Sequence, residues 1–176
     1  MNLKAYIFLL ITISLSLISC KSSEEFSTKN VESVTKKPQT IESFSNDIFA
    51  FIFKGEVFLD ELMPTVSVVK KIASGETQGK SDLDIKNEMI AGLKKRLQNN
   101  VENIITDIES SGYSTEQTIY TGFKTYPEDT RGPIKVLAIE FTVDDKKGMI
   151  PITYTEVGGL FYWFEILVST NIIESN

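Results

Sequence analysis

Residues 134–148 read IKVLAIEFTVDDKKG, and this stretch decides the fold. Leu137, Ile139, Phe141 and Val143 recur at every second position, with Val136, Ala138, Glu140 and Thr142 between them. That is the period of a strand with one face turned to a core. The run Asp144-Asp145-Lys146-Lys147-Gly148 that follows is polar and ends in glycine, so it reads as a hairpin connection.

Working outward, the same period appears on both sides. Thr118–Tyr126 is a first strand, separated from the second by a loop over Pro127–Pro133. Met149–Val157 is a third, in which Pro151 marks a bulge or an unpaired position, because proline has no N–H to give to a ladder. Gly158-Gly159 turns the chain into a fourth strand, Leu160–Ser169, with Leu160, Tyr162, Phe164, Ile166 and Val168 facing one way. Connections this short make an antiparallel meander.

Before Gly112 the period is helical. Ile41, Phe44, Ile48, Phe51 and Ile52 form one stripe, widened by Phe49 and Phe53 and stopped at Gly55. A short piece, Val57–Met63, leads to Pro64, which suits the first position of another helix, with Gly75 as its stop. Ser81 and Asp84 form an acidic variant of a capping box. From there Ile85, Met89, Leu93, Leu97, Val101, Ile104, Ile105 and Ile108 make a continuous stripe to Gly112, a left-handed C-cap. Lys94, Lys95 and Arg96 lie together on this helix, as a small anion site or a solvated face. The expected architecture is therefore α+β: N-terminal helices, one of them long, packed on a four-stranded antiparallel meander. Leu62-Met63-Pro64-Thr65, the long helix, and Gly158-Gly159 leading to Trp163 and Ile166 together resemble the cystatin-like and nuclear transport factor-like α+β domains of small bacterial lipoproteins. The resemblance is one of shape. Such folds host enzymes, binding modules and inhibitors alike.

The N-terminus carries a separate message. Lys4 precedes an apolar and hydroxylic run, Ala5–Ile18, which suits a signal-peptide core and is short of the ~20 residues that span a bilayer. The run ends in Leu17-Ile18-Ser19-Cys20, which resembles the bacterial lipobox. The resemblance implies cleavage between Ser19 and Cys20 and acylation, with palmitate-type chains, of Cys20. Each buried methylene contributes roughly 0.8 kcal/mol, so two or three chains hold a protein at a membrane durably. Residues 20–40 are then a lipidated cysteine and tether, poor in apolar residues, whose ends lie about 25 Å apart as a flexible coil. Lys21-Ser22-Ser23-Glu24-Glu25 loosely resembles the export signal of surface-displayed Bacteroidota lipoproteins. The resulting expectation is a lipoprotein of a Gram-negative outer membrane, facing the periplasm or the surface, with one domain over 41–170 and a tail over 171–176.

Composition narrows the chemistry. The chain has no histidine and one cysteine, with a formal net charge of −6. Loss of residues 1–19 removes Lys4 and leaves 24 acidic side chains unchanged. An acidic chain without a basic cluster is a poor partner for nucleic acid. Without histidine, and with its one thiol acylated, it has no Cys–His nucleophile, no histidine metal site and no cysteine zinc site, and no cofactor is expected. Asp82 with Asp84, and Asp144 with Asp145, lack the ligand and glycine spacing of a calcium loop.

What chemistry remains sits on the second face of the strands. Strict alternation places Glu140 on the second strand with Phe161, Trp163 and Glu165 on the fourth. Two carboxylates beside aromatic rings serve as an acid/base pair of a hydrolase or isomerase, or as charges framing an apolar patch that meets a protein or envelope component. A third reading, inhibition of a secreted peptidase or toxin, needs a wedge of loops, for which Pro127–Pro133 and Asp144–Gly148 are the candidates. The membrane, through Cys20, and a protein are the expected partners.

Overall fold

A computed structural model describes residues 39–167 and Ile173; of residues 128–131 it describes the backbone alone. The expected signal peptide with Ser19 and Cys20, most of the expected tether and all of the expected tail except Ile173 lie outside the described residues. Those described belong to one compact unit, Lys36–Asn176.

Helix α1 spans Ile41–Phe53 and starts at a Thr40–Ser43 capping box. Two short helices follow, α2 (Leu59–Leu62) and α3 (Val66–Ile72), then a single turn, α4 (Ser74–Thr77). The long helix α5 runs without a break through a first turn Asp82–Asp84, a π-helical stretch Ile85–Ile90 and an α-helical stretch Ala91–Ser110. After one 3₁₀ turn come β1 (Ile119–Arg131), β2 (Ile134–Val143), β3 (Lys146–Val157) and β4 (Leu160–Ile166). The sheet order is β1-β2-β3-β4, every pair antiparallel. The protein is thus an α+β domain with helices packed on a four-stranded antiparallel meander.

The ends of α5 follow the local chemistry of the chain. Ser81 Oγ accepts from the Asp84 amide while the Asp84 carboxylate accepts from the Ser81 amide and hydroxyl, closing the capping box. At the far end Gly112 has φ 86°, and the Tyr113 amide donates to the Ile108 carbonyl while Gly112 donates to Glu109. This is the Schellman arrangement, which satisfies carbonyls that the last turn leaves unpaired.

The core lies between one sheet face and the stripes of α1 and α5. Leu137, Ile139, Phe141 and Val143 of β2 and Ile150 and Ile152 of β3 pack there with Phe44, Ile48 and Ile52 of α1 and Leu97, Val101, Ile104 and Ile108 of α5. The aromatic stripe of α1 is core: Phe44 stacks on Phe161 at 5.5 Å, Phe51 meets Trp163 edge-on at 5.9 Å, and Phe53 lies 5.2 Å from Phe141. Gly148 completes this layer. A Cβ there would stand 2.2 Å from Cζ of Phe141, so only glycine lets that ring lie flat over β3.

Three local expectations are corrected, and a fourth is decided between its two alternatives. Pro64 does not start α3: Thr65 is the N-cap, its hydroxyl accepting from the Val68 amide, because a side-chain acceptor satisfies an orphan amide where proline cannot. Gly75 does not end that helix either. The chain breaks at Ala73 and winds one more turn, α4, through Gly75. Residues 127–131 are extended backbone of β1, and pairing with β2 lapses after Tyr126 and resumes at Arg131 opposite Ile134. Pro151, finally, keeps its register opposite Ala138, and on its other side its carbonyl accepts from Leu167, just past the end of β4. Of the two alternatives for Pro151 the bulge is absent at that residue, and its missing amide proton lies on the side of Leu167, beyond the ladder of β4, as an unpaired position.

Candidate functional site

The bulge expected near Pro151 sits instead in β4. Trp163 pairs with Tyr154 and Glu165 with Thr153, leaving Phe164 as an extra residue between them. One extra residue reverses the facing of everything beyond it. Phe161 and Trp163 therefore point to the same face as Ile166, into the core, where Trp163 has no exposed surface and Phe161 is 8% exposed. The indole N–H donates to the Glu165 carbonyl at 3.1 Å, a backbone oxygen next to the bulge. Phe161 and Trp163 are thus removed from the face expected to carry them. Their alternation was legible, but its phase was not, because LFYWFEI is apolar on both faces.

Glu140 and Glu165 do share the outer face, but at a distance. Glu140 stands opposite Met149 on β3 and Glu165 opposite Thr153. Four residues along β3 and two strand spacings across put them roughly 16 Å apart. Paired glycosidase-type carboxylates work at about 5–9.5 Å, so these two do not form one acid/base centre. The loop wedge is also dispersed. The turns at 132–133 and 144–145 cap opposite ends of β2, about 30 Å apart.

What the fold assembles around Glu165 is a groove of ≈ 1150 Å³. Its floor is a row across three strands, Val136, Thr153 and Glu165, held in register by the sheet. The β1–β2 turn contributes Pro133 and Ile134, and β4 contributes Phe164 and the following Leu167. The opposite wall comes from α3 (Val69, Ile72 and Ala73), from Glu76 of α4, and from the first half of α5. The adjacent residues Met89 and Ile90 of the π-helical stretch both line the groove. Leu93 closes the bed and Arg96 stands on the next turn.

The bed is apolar and wet. Ile72, Met89, Ile90, Ile134, Val136 and Phe164 are all half-buried and Leu167 is 37% exposed, so water touches a continuous apolar strip built from four elements and the segment after β4. Charges rim it unevenly. Glu76, Glu88 and Glu165 line the groove against one cation, Arg96. Glu88 is bound by Lys80 at 2.5 Å, and the hydrogen bond and charge of Glu88 hold the Lys80 amine above its usual range. Arg96 makes no ion pair among the described residues.

The remaining expected charges have structural partners. Lys94 is not part of an anion site with Arg96: it grips Asp60 of α2 at 2.6 Å, fastening α2 to α5. Asp82 pairs with Lys70, and Asp84 is occupied in the cap, where hydrogen bonds from Ser81 hold its carboxyl below the usual range. Asp144 and Asp145 form the β2–β3 turn. Among the described residues no three acidic, histidine or cysteine side chains converge as a metal site, and no helix is long and apolar enough to cross a membrane. Comparisons with protein-family models, with curated proteins and with solved structures find no match.

Proposed function

We propose that this chain is a membrane-anchored envelope lipoprotein, held through Cys20, whose α+β domain binds a protein or envelope component without acting on it chemically. The observation that carries the reading is the groove. Seven partly exposed apolar side chains converge there from elements far apart in sequence, and exposed apolar surface of that continuity marks a contact site on a soluble domain. Its shape supports a macromolecular contact over a small-molecule pocket: the cleft lies open along one side, whereas small-ligand sites bury 70–90% of their occupant. The ~16 Å between Glu140 and Glu165 weighs against the alternative of a hydrolase or isomerase built on that pair. The separation of the two hairpin turns weighs against inhibition through a loop wedge.

Two measurements test the two halves. Metabolic labelling with radioactive palmitate should mark the wild-type chain and not Cys20→Ser, and equal labelling would refute the anchor. A photo-crosslinking side chain placed at position 167 should give a discrete adduct in intact envelopes, lost when Phe164→Asp is added. No adduct at 167, or one indifferent to Phe164→Asp, would refute the groove as the contact site.

A further inference from the structure

We infer that the occupant of the groove is a cationic amphipathic helix of a partner protein, an inference that rests on the binding reading above and adds the chemistry of the partner. The bed takes the apolar half of such a segment. Met89 gives it an adaptable contact through its flexible thioether, and Phe164 a rigid apolar ring to pack on. The rim selects the charge. Glu76 on α4 belongs to the helical wall and Glu165 to the β4 edge of the floor, and neither makes an ion pair among the described residues. Lysine or arginine side chains flanking an apolar stripe would reach one carboxylate or the other. The rim carries three carboxylates against Arg96 and the Lys80 bound to Glu88, and the whole chain is acidic, with net charge −6. Electrostatic complementarity of this kind steers encounter and rejects acidic competitors.

Size agrees with a helix. A helix is about 10 Å across, and an open cleft of ≈ 1150 Å³ takes one face of a few turns of it. An acyl chain or other anionic amphiphile would engage Arg96 but would leave Glu76 and Glu165 facing its headgroup. A second copy of this acidic chain would meet the rim with like charge.

The test uses the purified full-length lipoprotein in detergent and three fluorescent probes followed by anisotropy: a leucine/lysine amphipathic helix of about ten residues, its leucine/glutamate counterpart, and a labelled fatty acid. The expected result is binding of the leucine/lysine helix alone, weakened by salt. Glu76→Lys with Glu165→Lys should reduce its affinity about tenfold or more, and Leu167→Asp should abolish it, with circular dichroism and the melting curve unchanged. Equal or tighter binding of the leucine/glutamate helix would overturn the proposal. So would fatty-acid binding lost on Arg96→Ala, or dimerisation lost on Leu167→Asp. A groove crosslink in envelopes without leucine/lysine binding would remove this inference and leave the binding reading standing. Absence of both would remove the two together.

Discussion

Replacing Gly148 by alanine gives the sharpest test of how the core is built. The backbone there is not in the left-handed region, so alanine is acceptable to the chain itself, and only the surroundings object. The new Cβ would stand 2.2, 2.5 and 2.7 Å from Cζ, Cε2 and Cε1 of Phe141, where carbon atoms want about 3.5–4.0 Å. The ring must therefore retreat by more than an ångström. It has nowhere to go: Phe141 is 1% exposed and Phe53 of α1 lies 5.2 Å away. Overpacking of this kind costs about 1–3 kcal/mol, and disturbing the Phe53–Phe141 pair adds about 0.5–1.5 kcal/mol. Exchanging glycine for alanine in a strand returns about 0.5–1 kcal/mol through the unfolded chain. The net loss is about 0.5–4 kcal/mol, centred on about 2 kcal/mol. In urea unfolding, with a slope of about 1–3 kcal/mol/M, the midpoint should fall by about 1–2 M at unchanged slope. Combining Gly148→Ala with Phe141→Leu should cost less than the two changes summed, by about 1 kcal/mol or more, because the smaller side chain vacates the space. An unchanged midpoint for Gly148→Ala, or strict additivity in the double variant, would refute the account.

Three further outcomes follow from other parts of the fold. Asp145 has φ 63° after Asp144 at φ 47°, so Asp145→Gly should stabilise the domain by about 0.5–1 kcal/mol in the same urea assay. Ser81→Ala should cost about 1 kcal/mol by removing the cap of α5. Because the Asp84 carboxyl is depressed by Ser81 from an ordinary 3.8, its contribution is complete above that pH and disappears as pH falls through the lower folded value; the Ser81→Ala penalty, followed by denaturation at a series of pH values, should shrink over that window. Trp163 is the chain's one tryptophan and is fully buried, so its fluorescence should be blue-shifted and shielded from acrylamide, and Trp163→Ala should cost about 3–5 kcal/mol.

Much of this was legible along the chain because it depends on near neighbours. The 3.6-residue stripe of α5, the Ser81–Asp84 box, the Gly112 cap and the alternation of β2 each need only a few consecutive residues to declare themselves, and the α+β meander follows from their order. Helix α1 was readable for the same reason, since Phe44, Ile48 and Ile52 share one face whatever they pack against. The candidate site was far less legible. Glu165 and the charge of Arg96 were visible as single residues, but nothing local couples them to Ile72, Met89 or Ile134. Met89 was legible only as part of the apolar stripe of α5; that the helix widens over Ile85–Ile90 left no local signal.

From local pattern alone came the main elements, their order and the lack of any histidine, together with the lipobox-like Leu17-Ile18-Ser19-Cys20 on which the proposed anchor rests. Tertiary structure decided the phase of β4 and with it the site. In LFYWFEI both faces are apolar enough to be buried, so one-dimensional pattern has no preference between them. The choice is made by which set fills the space left by α1: Phe161 stacks on Phe44 and Trp163 meets Phe51. The bulge at Phe164 then delivers Ile166 to the same core and turns Glu165 to the groove. Packing against a distant helix, which no local period encodes, settled which residues of the last strand became core and which line the groove.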